Sequence, residues 1–202
     1  MKQASEISGT NLHPVEEDDA TGTVARVYAE YRERFGRQHV PGILKCFATH
    51  PPLLKQMMAL ASTLLFTDGH LSRSTKEMLA TYVSRLNACP YCMDSHAFYL
   101  HEQGATAGLL RALFDRKLDG AELGEKQRRL LEFAEKVTSE SHRISGADVQ
   151  QLQTAGWTEP QIAEAVHVIG LFAYFNRVAN AFGLPSQHLF DAQGIAGTKE
   201  ER

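Results

Sequence analysis

The sequence predicts an all-α fold, and three observations support that prediction. Apolar residues recur at intervals of three and four over most of the chain, which is the period of a helix. The alternation typical of strands is nearly absent, and residues that favour helix ends separate the apolar stretches. With 202 residues, 43% hydrophobic and 22% charged, the chain can form one substantial globular core. We therefore expect a single domain over residues 1–202, a bundle of seven to nine helices.

Four apolar stretches define the central helices of this bundle. In chain order they are Leu53, Leu54, Met57, Met58, Ala61, Leu64 and Leu65; Met78, Leu79, Tyr82, Val83 and Leu86; Leu109, Leu110, Leu113 and Phe114; and Leu130, Leu131, Ala134 and Val137. Each set covers one face of a helix, which predicts amphipathic helices around a common core. Helix starts are predicted at Ser72 or Ser74, at Ser145 and at Thr158, and helix ends at Gly104, Gly156 and Gly183.

A weak internal repeat with an offset of 52 residues crosses the chain. In that register Glu77 falls on Arg129, Cys89 on Ser141 and Cys92 on Ile144. The matching positions are Leu71 with Leu123, Leu79 with Leu131, and residues 103–106 with 155–158. Either two similar helical units pack together and only the first retains the chemistry, or the identities arise by chance.

The N-terminus and the charge of the chain indicate where it works. Residues 1–20 are polar, so we expect a flexible segment that lacks the apolar core of a secretory signal. The longest apolar run, residues 168–175, is too short to span a bilayer, and we expect a cytoplasmic protein. A net charge of −3 without a basic cluster predicts that neither nucleic acid nor a membrane is a partner.

The segment from Glu77 to His96 carries the residues with chemical potential. Cys89 and Cys92 form a C-x2-C pair, which can close or open a disulfide with little backbone movement. In a cytosolic protein such a pair is more often catalytic, redox-sensing or metal-binding than a permanent cross-link. His96 lies one helical turn beyond Cys92, on the same face of the helix.

Local signals predict that these thiols are reactive. Pro90 suits the first position of a helix, which makes Cys89 the N-cap and puts Cys92 in the first turn. Unpaired N–H groups and the helix dipole favour a thiolate there. We expect Cys92 to be the ionised nucleophile, because His96 can accept its proton. Glu77 lies on the preceding helix beside small side chains at positions 80, 81, 84 and 88, which should let the cysteine helix approach and place the Glu77 carboxylate near His96.

Other interpretations of the same four residues stay open. Cys89, Cys92, His96 and Glu77 could supply the four ligands of a tetrahedral zinc site. Glu77 could be a helix-capping or surface acid, and His96 a histidine packed in the core.

Four further residues are polar or reactive. Cys46 is most simply a small buried hydrophobic residue. Tyr91 is expected to pack or to form the wall of a pocket. Asn176 and Arg177 lie in an apolar helix, where they either pair with a buried acid or line a cavity.

The spacing Glu77-x11-Cys89-x2-Cys92-x3-His96 resembles the signature of the alkylhydroperoxidase D / carboxymuconolactone decarboxylase superfamily. The sequences at 71–92 and 174–180 are similar to its peroxidase-related branch, and the likeness covers residues 40–185 approximately. The resemblance implies an all-helical, alkylhydroperoxidase D-like bundle built from two related halves and assembled into a homo-oligomer.

The resemblance also implies a role for each matched residue. Cys92 attacks the peroxide, Cys89 resolves the sulfenic acid as a disulfide, and Glu77 and His96 form the proton relay. An external dithiol restores the thiols, and no metal or organic cofactor is needed. In thioredoxin-like proteins the first cysteine of the pair attacks instead, so the choice of Cys92 depends on His96.

The expected function is therefore that of a thiol-dependent peroxidase acting on small organic hydroperoxides. Better-studied relatives carry a second histidine at the position of Tyr91, and a tyrosine is not a base at neutral pH. Two alternatives remain: a non-redox lyase of the carboxymuconolactone decarboxylase type, and a redox-sensing or zinc-binding protein without turnover.

Overall fold

A computed structural model describes residues 9–120 and 122–189 of the chain. Over those residues it contains nine α-helices, one 3-10 turn and no strand, which confirms the all-α prediction. The helices are α1 (Gly22–Phe35), α2 (Gly42–Phe47), α3 (Pro51–Leu64), α4 (Arg73–Leu86), α5 (Pro90–Glu102), α6 (Ala107–Asp115), α7 (Glu125–Glu140), α8 (Gly146–Thr154) and α9 (Glu159–Phe182), and the 3-10 turn covers Ser141–Arg143.

The predicted helix starts are confirmed. Ser72, not Ser74, is the N-cap of α4, and its Oγ accepts a hydrogen bond from the N–H of Thr75 at 3.2 Å. Capping boxes begin α8 and α9, where a side chain three residues into the helix reaches back to the N-cap backbone.

The predicted helix ends are confirmed as well. Gly104, Gly156 and Gly183 have φ values of 92°, 93° and 74°, a region that side chains other than hydrogen rarely allow. The chain can therefore reverse at each of these points without backbone strain.

Helix α4 is surrounded by other helices and forms the centre of the fold. It packs against α5, α6, α7 and α9, and residues 76–84 are all buried. Even Lys76 is enclosed: its Nζ pairs with Glu164 of α9 at 2.6 Å and donates to the carbonyl of Thr67 at 2.8 Å. A polar side chain on this helix therefore lies in the protein interior unless it is near an end.

Helix α9 is the one helix in the described ranges that is long and apolar enough to cross a membrane by length and composition. Half of its apolar window is buried inside the protein, where it packs against α2, α4 and α7. It is therefore a core helix of this bundle, and the cytoplasmic location stays a prediction.

The described part of the N-terminal segment runs along α2. The N–H of Val15 donates to the carbonyl of Lys45 at 3.1 Å, and the Lys45 Nζ pairs with Glu16 at 2.7 Å. Tyr28 donates its hydroxyl hydrogen to the carbonyl of Val15 at 2.8 Å. Flexibility of residues 1–20 stays a prediction, and its first eight residues lie outside the described ranges.

The helices follow the 52-residue offset that the sequence contains. Shifted by 52, the first residue of α4 falls on the first residue of α7, the last residue of α5 on the last residue of α8, and the first residue of α6 on the first residue of α9. Gly104 and Gly156 are related in the same way and share the same φ within one degree. The bundle therefore contains two related units, α4–α6 and α7 to the start of α9.

Candidate active site

The packing of α5 on α4 brings Glu77 and His96 together. Glu77 is fully buried, on the face of α4 that carries Ala80 and Ser84, and α5 packs closely there. Its Oε2 lies 2.6 Å from Nδ1 of His96. This is the contact expected from the small side chains on α4, while the catalytic role of the two groups stays a prediction.

Arg73 is a site residue that the sequence analysis did not identify. It lies one turn before Glu77 on α4, and its Nε donates to the Glu77 Oε1 at 2.6 Å. The guanidinium also lies over the ring of Tyr99, 5.9 Å from its centre. Each carboxylate oxygen of Glu77 thus has its own partner, and the arginine balances the buried charge. The i, i+4 spacing of Arg73 and Glu77 was the signal that could have indicated this pair.

The two site thiols lie at the start of α5. Cys89 is the N-cap and Pro90 is the first helical residue, as predicted. A short turn joins α4 to this helix, and Ala88 within it has a φ of 49°. Both Cys89 and Cys92 are unbridged and buried, with exposures of 1% and 3%.

The pKa shifts of the thiols correct one expectation. A hydrogen bond with Cys92 lowers the pKa of Cys89, and the N–H groups of Cys92 and Tyr91 act in the same direction, against the effect of burial. The same thiol–thiol hydrogen bond, together with burial, raises the pKa of Cys92 well above its ordinary value. The lowered pKa therefore belongs to Cys89 and not to Cys92, first because of the hydrogen bond between the two thiols and then because N–H groups of the first helical turn bond to the N-cap sulfur.

Asn176 of α9 completes the surroundings of the thiols. It is fully buried; its Nδ2 donates to Oγ of Ser84 at 2.9 Å, and its Oδ1 accepts from Asn87 at 3.0 Å. Hydrogen bonding from its side chain favours the thiolates of both Cys89 and Cys92 and acts to lower both pKa values. Its side chain therefore bonds to Ser84, Asn87 and the thiol pair.

His96 packs against aromatic side chains and lines the same cavity as Cys92. Its ring meets Phe172 edge to face at 4.6 Å between centres and Tyr99 at 5.8 Å. Since Nδ1 is directed at Glu77, Nε2 is the nitrogen left to exchange a proton with a ligand.

A cavity of about 340 Å³ connects this site with the surface. Cys92, Ser95, His96 and Tyr99 of α5 form one wall, and apolar side chains from α2 and α3 form much of the rest. Cys89 does not line it. Of the two thiols, Cys92 is therefore the one that a small molecule in the cavity would meet.

Tyr91 has a structural role at this cavity. Its hydroxyl oxygen accepts a hydrogen bond from the backbone N–H of Ile43 at 3.2 Å, which ties α5 to α2. Burial raises its pKa well above the ordinary tyrosine value, so it supplies no base. Its side chain lines the cavity, as expected.

Cys46 and Arg177 take no part in the site chemistry. Burial raises the pKa of Cys46 to about 12, which keeps this thiol protonated. Arg177 is exposed and donates to the carbonyl of Ala173 on its own helix at 2.5 Å, so it fulfils neither alternative considered for it.

The zinc interpretation does not fit the arrangement of the side chains. Over residues 9–120 and 122–189, no three His, Cys, Asp or Glu side chains are grouped so that they could hold a metal ion. The carboxylate of Glu77 is already shared between Arg73 and His96.

Comparisons with known proteins place this site in a family. Residues 51–136, from α3 into α7, match the carboxymuconolactone decarboxylase family and include all four predicted site residues. The crystal structure of an uncharacterised peroxidase-related protein from Silicibacter sp. TM1040 matches 92% of this chain and 94% of that one, with 27% identity and a TM-score of 0.74. Residues 51–136 thus resemble this family, and the whole described fold resembles that of peroxidase-related proteins.

Two further proteins are similar to this chain. One is a peroxidase-related protein from Ralstonia eutropha JMP134, described as an alkylhydroperoxidase AhpD core. Its structure matches 89% of the present chain and 96% of the Ralstonia chain, with 25% identity and a TM-score of 0.73. The alkyl hydroperoxide reductase Rv2159c of Mycobacterium tuberculosis is 38% identical over 97 residues, which are 48% of this chain. The match spans only 27% of that curated relative.

Proposed function

We propose that this chain is a thiol-dependent peroxidase that reduces organic hydroperoxides at Cys92. One observation carries the proposal: Cys92 and His96 line the same cavity, while Cys89 does not line it but forms a hydrogen bond with Cys92. The family relationship supports a peroxidase-like activity, since the relatives include an alkyl hydroperoxide reductase and peroxidase-related proteins.

The first step is the formation of a thiolate at Cys92. Cys89 is the more acidic thiol, because its pKa is lowered and that of Cys92 is raised, so Cys92 keeps its proton when the pair loses one. Transfer of that proton to Cys89 across the thiol–thiol hydrogen bond moves the charge to the sulfur that faces the cavity. Asn176 favours the thiolate at either sulfur, so the charge keeps a partner as it moves.

The second step breaks the O–O bond. The Cys92 thiolate attacks the outer peroxide oxygen and becomes a sulfenic acid, and the other oxygen leaves as an alkoxide. Protonated His96 donates its Nε2 hydrogen to that alkoxide, which gives the alcohol. Glu77 holds the imidazole at Nδ1 and stabilises its protonated form.

The last steps restore the enzyme. The Cys89 thiol condenses with the Cys92 sulfenic acid, forming the disulfide and releasing water, which prevents further oxidation of Cys92. An external dithiol then reduces the disulfide by exchange.

Thiol titration before and after one equivalent of cumene hydroperoxide tests this proposal. The wild type should lose two of its three thiols. Cys92→Ser should lose none, and Cys89→Ser should stop at a sulfenic acid that dimedone traps. Cys46→Ser is the matched control and should still lose two. Unchanged thiols in the wild type would overturn the proposal and favour a non-redox lyase.

A further inference from the structure

The lining of the cavity that Cys92 faces is mostly apolar, but it includes an exposed cation. Arg37, Gln38 and His39, from the loop between α1 and α2, are exposed residues that line it. Among the described residues, no aspartate or glutamate lines the same cavity. The charge of the lining therefore complements an anion.

Arg37 is the cation in this lining that is available to a ligand. His96 is held by Glu77, and His39 lies 3.8 Å from a carboxylate oxygen of Glu17. In the part of the chain that the structure describes, Arg37 forms no ion pair. Its guanidinium instead lies over the rings of Phe98 and Tyr99, 6.0 Å and 5.4 Å from their centres.

The setting of Arg37 suits it to bind a carboxylate. The backbone N–H of Arg37 donates to the carbonyl of Arg32 at the end of α1, at 3.2 Å, which fixes the start of the loop. An aromatic face supports the plane of a guanidinium and leaves its N–H edges free. Two parallel hydrogen bonds from such an edge are a common way to bind a carboxylate.

Tyr99 links this cation to the reactive part of the cavity. Its ring lies 5.8 Å from the ring of His96 and 5.4 Å from the Arg37 guanidinium carbon, centre to centre. A ligand lying along Tyr99 would therefore reach from Cys92 and His96 to Arg37, with an apolar body roughly one aromatic ring long in between.

From this arrangement we infer that the cavity accepts an apolar hydroperoxide that carries a carboxylate, with the carboxylate on Arg37 and the O–O group at Cys92. The inference rests on the proposed peroxidase function. It adds a substrate class: a compact amphipathic acid hydroperoxide is preferred over a neutral one of the same shape.

The rate test uses 4-(2-hydroperoxypropan-2-yl)benzoate and its methyl ester, which differ only in the charge opposite the hydroperoxide. Wild type should oxidise its thiols about 10-fold faster with the acid at low salt, in line with a charge-assisted hydrogen bond. Arg37→Gln should lose that preference and keep its rate with the ester. Arg34→Gln is the matched control, since Arg34 does not line the cavity and donates to Ser62.

A binding test separates this inference from the peroxidase proposal. 4-Isopropylbenzoate has no peroxide, and calorimetry should show that it binds reduced wild type at least 5-fold more tightly than Arg37→Gln. If 4-isopropylbenzoate binds in this way but hydroperoxides do not oxidise the thiols, the anion site is supported and the peroxidase proposal is wrong. Equal rates with acid and ester, or equal binding to wild type and Arg37→Gln, would overturn the inference.

Discussion

The two related units of this protein have the same helix register and very different interiors. Glu77 in the first unit bonds to a histidine on the next helix, whereas Arg129 at the matching position pairs only with Glu125 and Glu132 of its own helix. His96 corresponds to Asp148, which pairs with Lys136 and completes a capping box. The two units thus share the arrangement of their helices, and they differ in the side chains that form contacts between those helices.

The helix that carries the thiols explains much of the difference. Helix α5 begins at Pro90, but α8 begins at Gly146, four residues later in the shared register. The matching residues of Cys89 and Cys92 are Ser141 and Ile144, in and just after the 3-10 turn. The second unit therefore lacks the first helical turn, whose N–H groups lower the pKa of Cys89 in the first unit.

The largest expected effect comes from the matched pair Glu77→Gln and Arg129→Gln. Glutamine at 77 can still accept a hydrogen bond from His96 but no longer stabilises its protonated form, so the rate of thiol oxidation by hydroperoxide should fall about 100-fold. Arg129→Gln should change that rate less than about 2-fold, because Arg129 pairs with two glutamates of its own helix that are at least partly exposed. Stopped-flow measurement of thiol oxidation in both variants tests this prediction. A rate for Glu77→Gln close to that of wild type would show that Glu77 takes no part in a proton relay.

A smaller effect is expected from Asn176→Ala with Asn180→Ala as its control. Removing the Asn176 amide should raise the apparent pKa of the thiol pair by about one, since a hydrogen bond to a charged group contributes on the order of 1.5 kcal/mol. Asn180 is exposed, lies one turn later on α9 and donates to the carbonyl of Asn87 at 3.3 Å.

The pH dependence of alkylation by iodoacetamide measures that pKa. Because the reactive form is the thiolate, a higher pKa moves the rise in rate to higher pH, and the rate at neutral pH falls about 10-fold. Asn180→Ala should leave the curve unchanged. The same curve for both variants would mean that the contribution of Asn176 is purely structural.

The smallest effect tests what the two units share. Gly104→Ala and Gly156→Ala should each lower the free energy of unfolding by about 1–2 kcal/mol, because both positions have φ near 92°. Gly170→Ala, at an exposed position inside α9 with open space around it, should not destabilise the protein. Urea unfolding measures all three, and unequal losses at 104 and 156 would weaken the equivalence of the two units.

Local sequence signals were sufficient for the fold and for part of the site. Helical periodicity and capping residues act within a few positions, so the helices and their ends could be predicted. The strip of small residues on α4 was enough to predict the contact between Glu77 and His96. These features depend on one helix or on two adjacent ones.

The missed features depend on how distant segments cross. The polar Asn176 in an apolar run was a visible signal, but its partners Ser84 and Asn87 lie about ninety residues away and follow from the crossing of α9 over α4. The order of the two thiol pKa values depends on the hydrogen bond between the sulfurs and on the N–H groups around Cys89, which spacing alone does not determine. Arg37 reaches the cavity only because the α1–α2 loop folds over α5.

The short turn at Ala88 restricts how far the backbone can move when the disulfide forms. A left-handed backbone at an alanine is less favourable by about 1 kcal/mol than at a glycine, and it is held between two tightly packed helices. The turn at Ala88 therefore leaves little room for the backbone of α5 to move relative to α4. We therefore expect the S–S bond to form and break by side-chain rotation alone, so that oxidised and reduced protein give superimposable far-ultraviolet circular dichroism spectra.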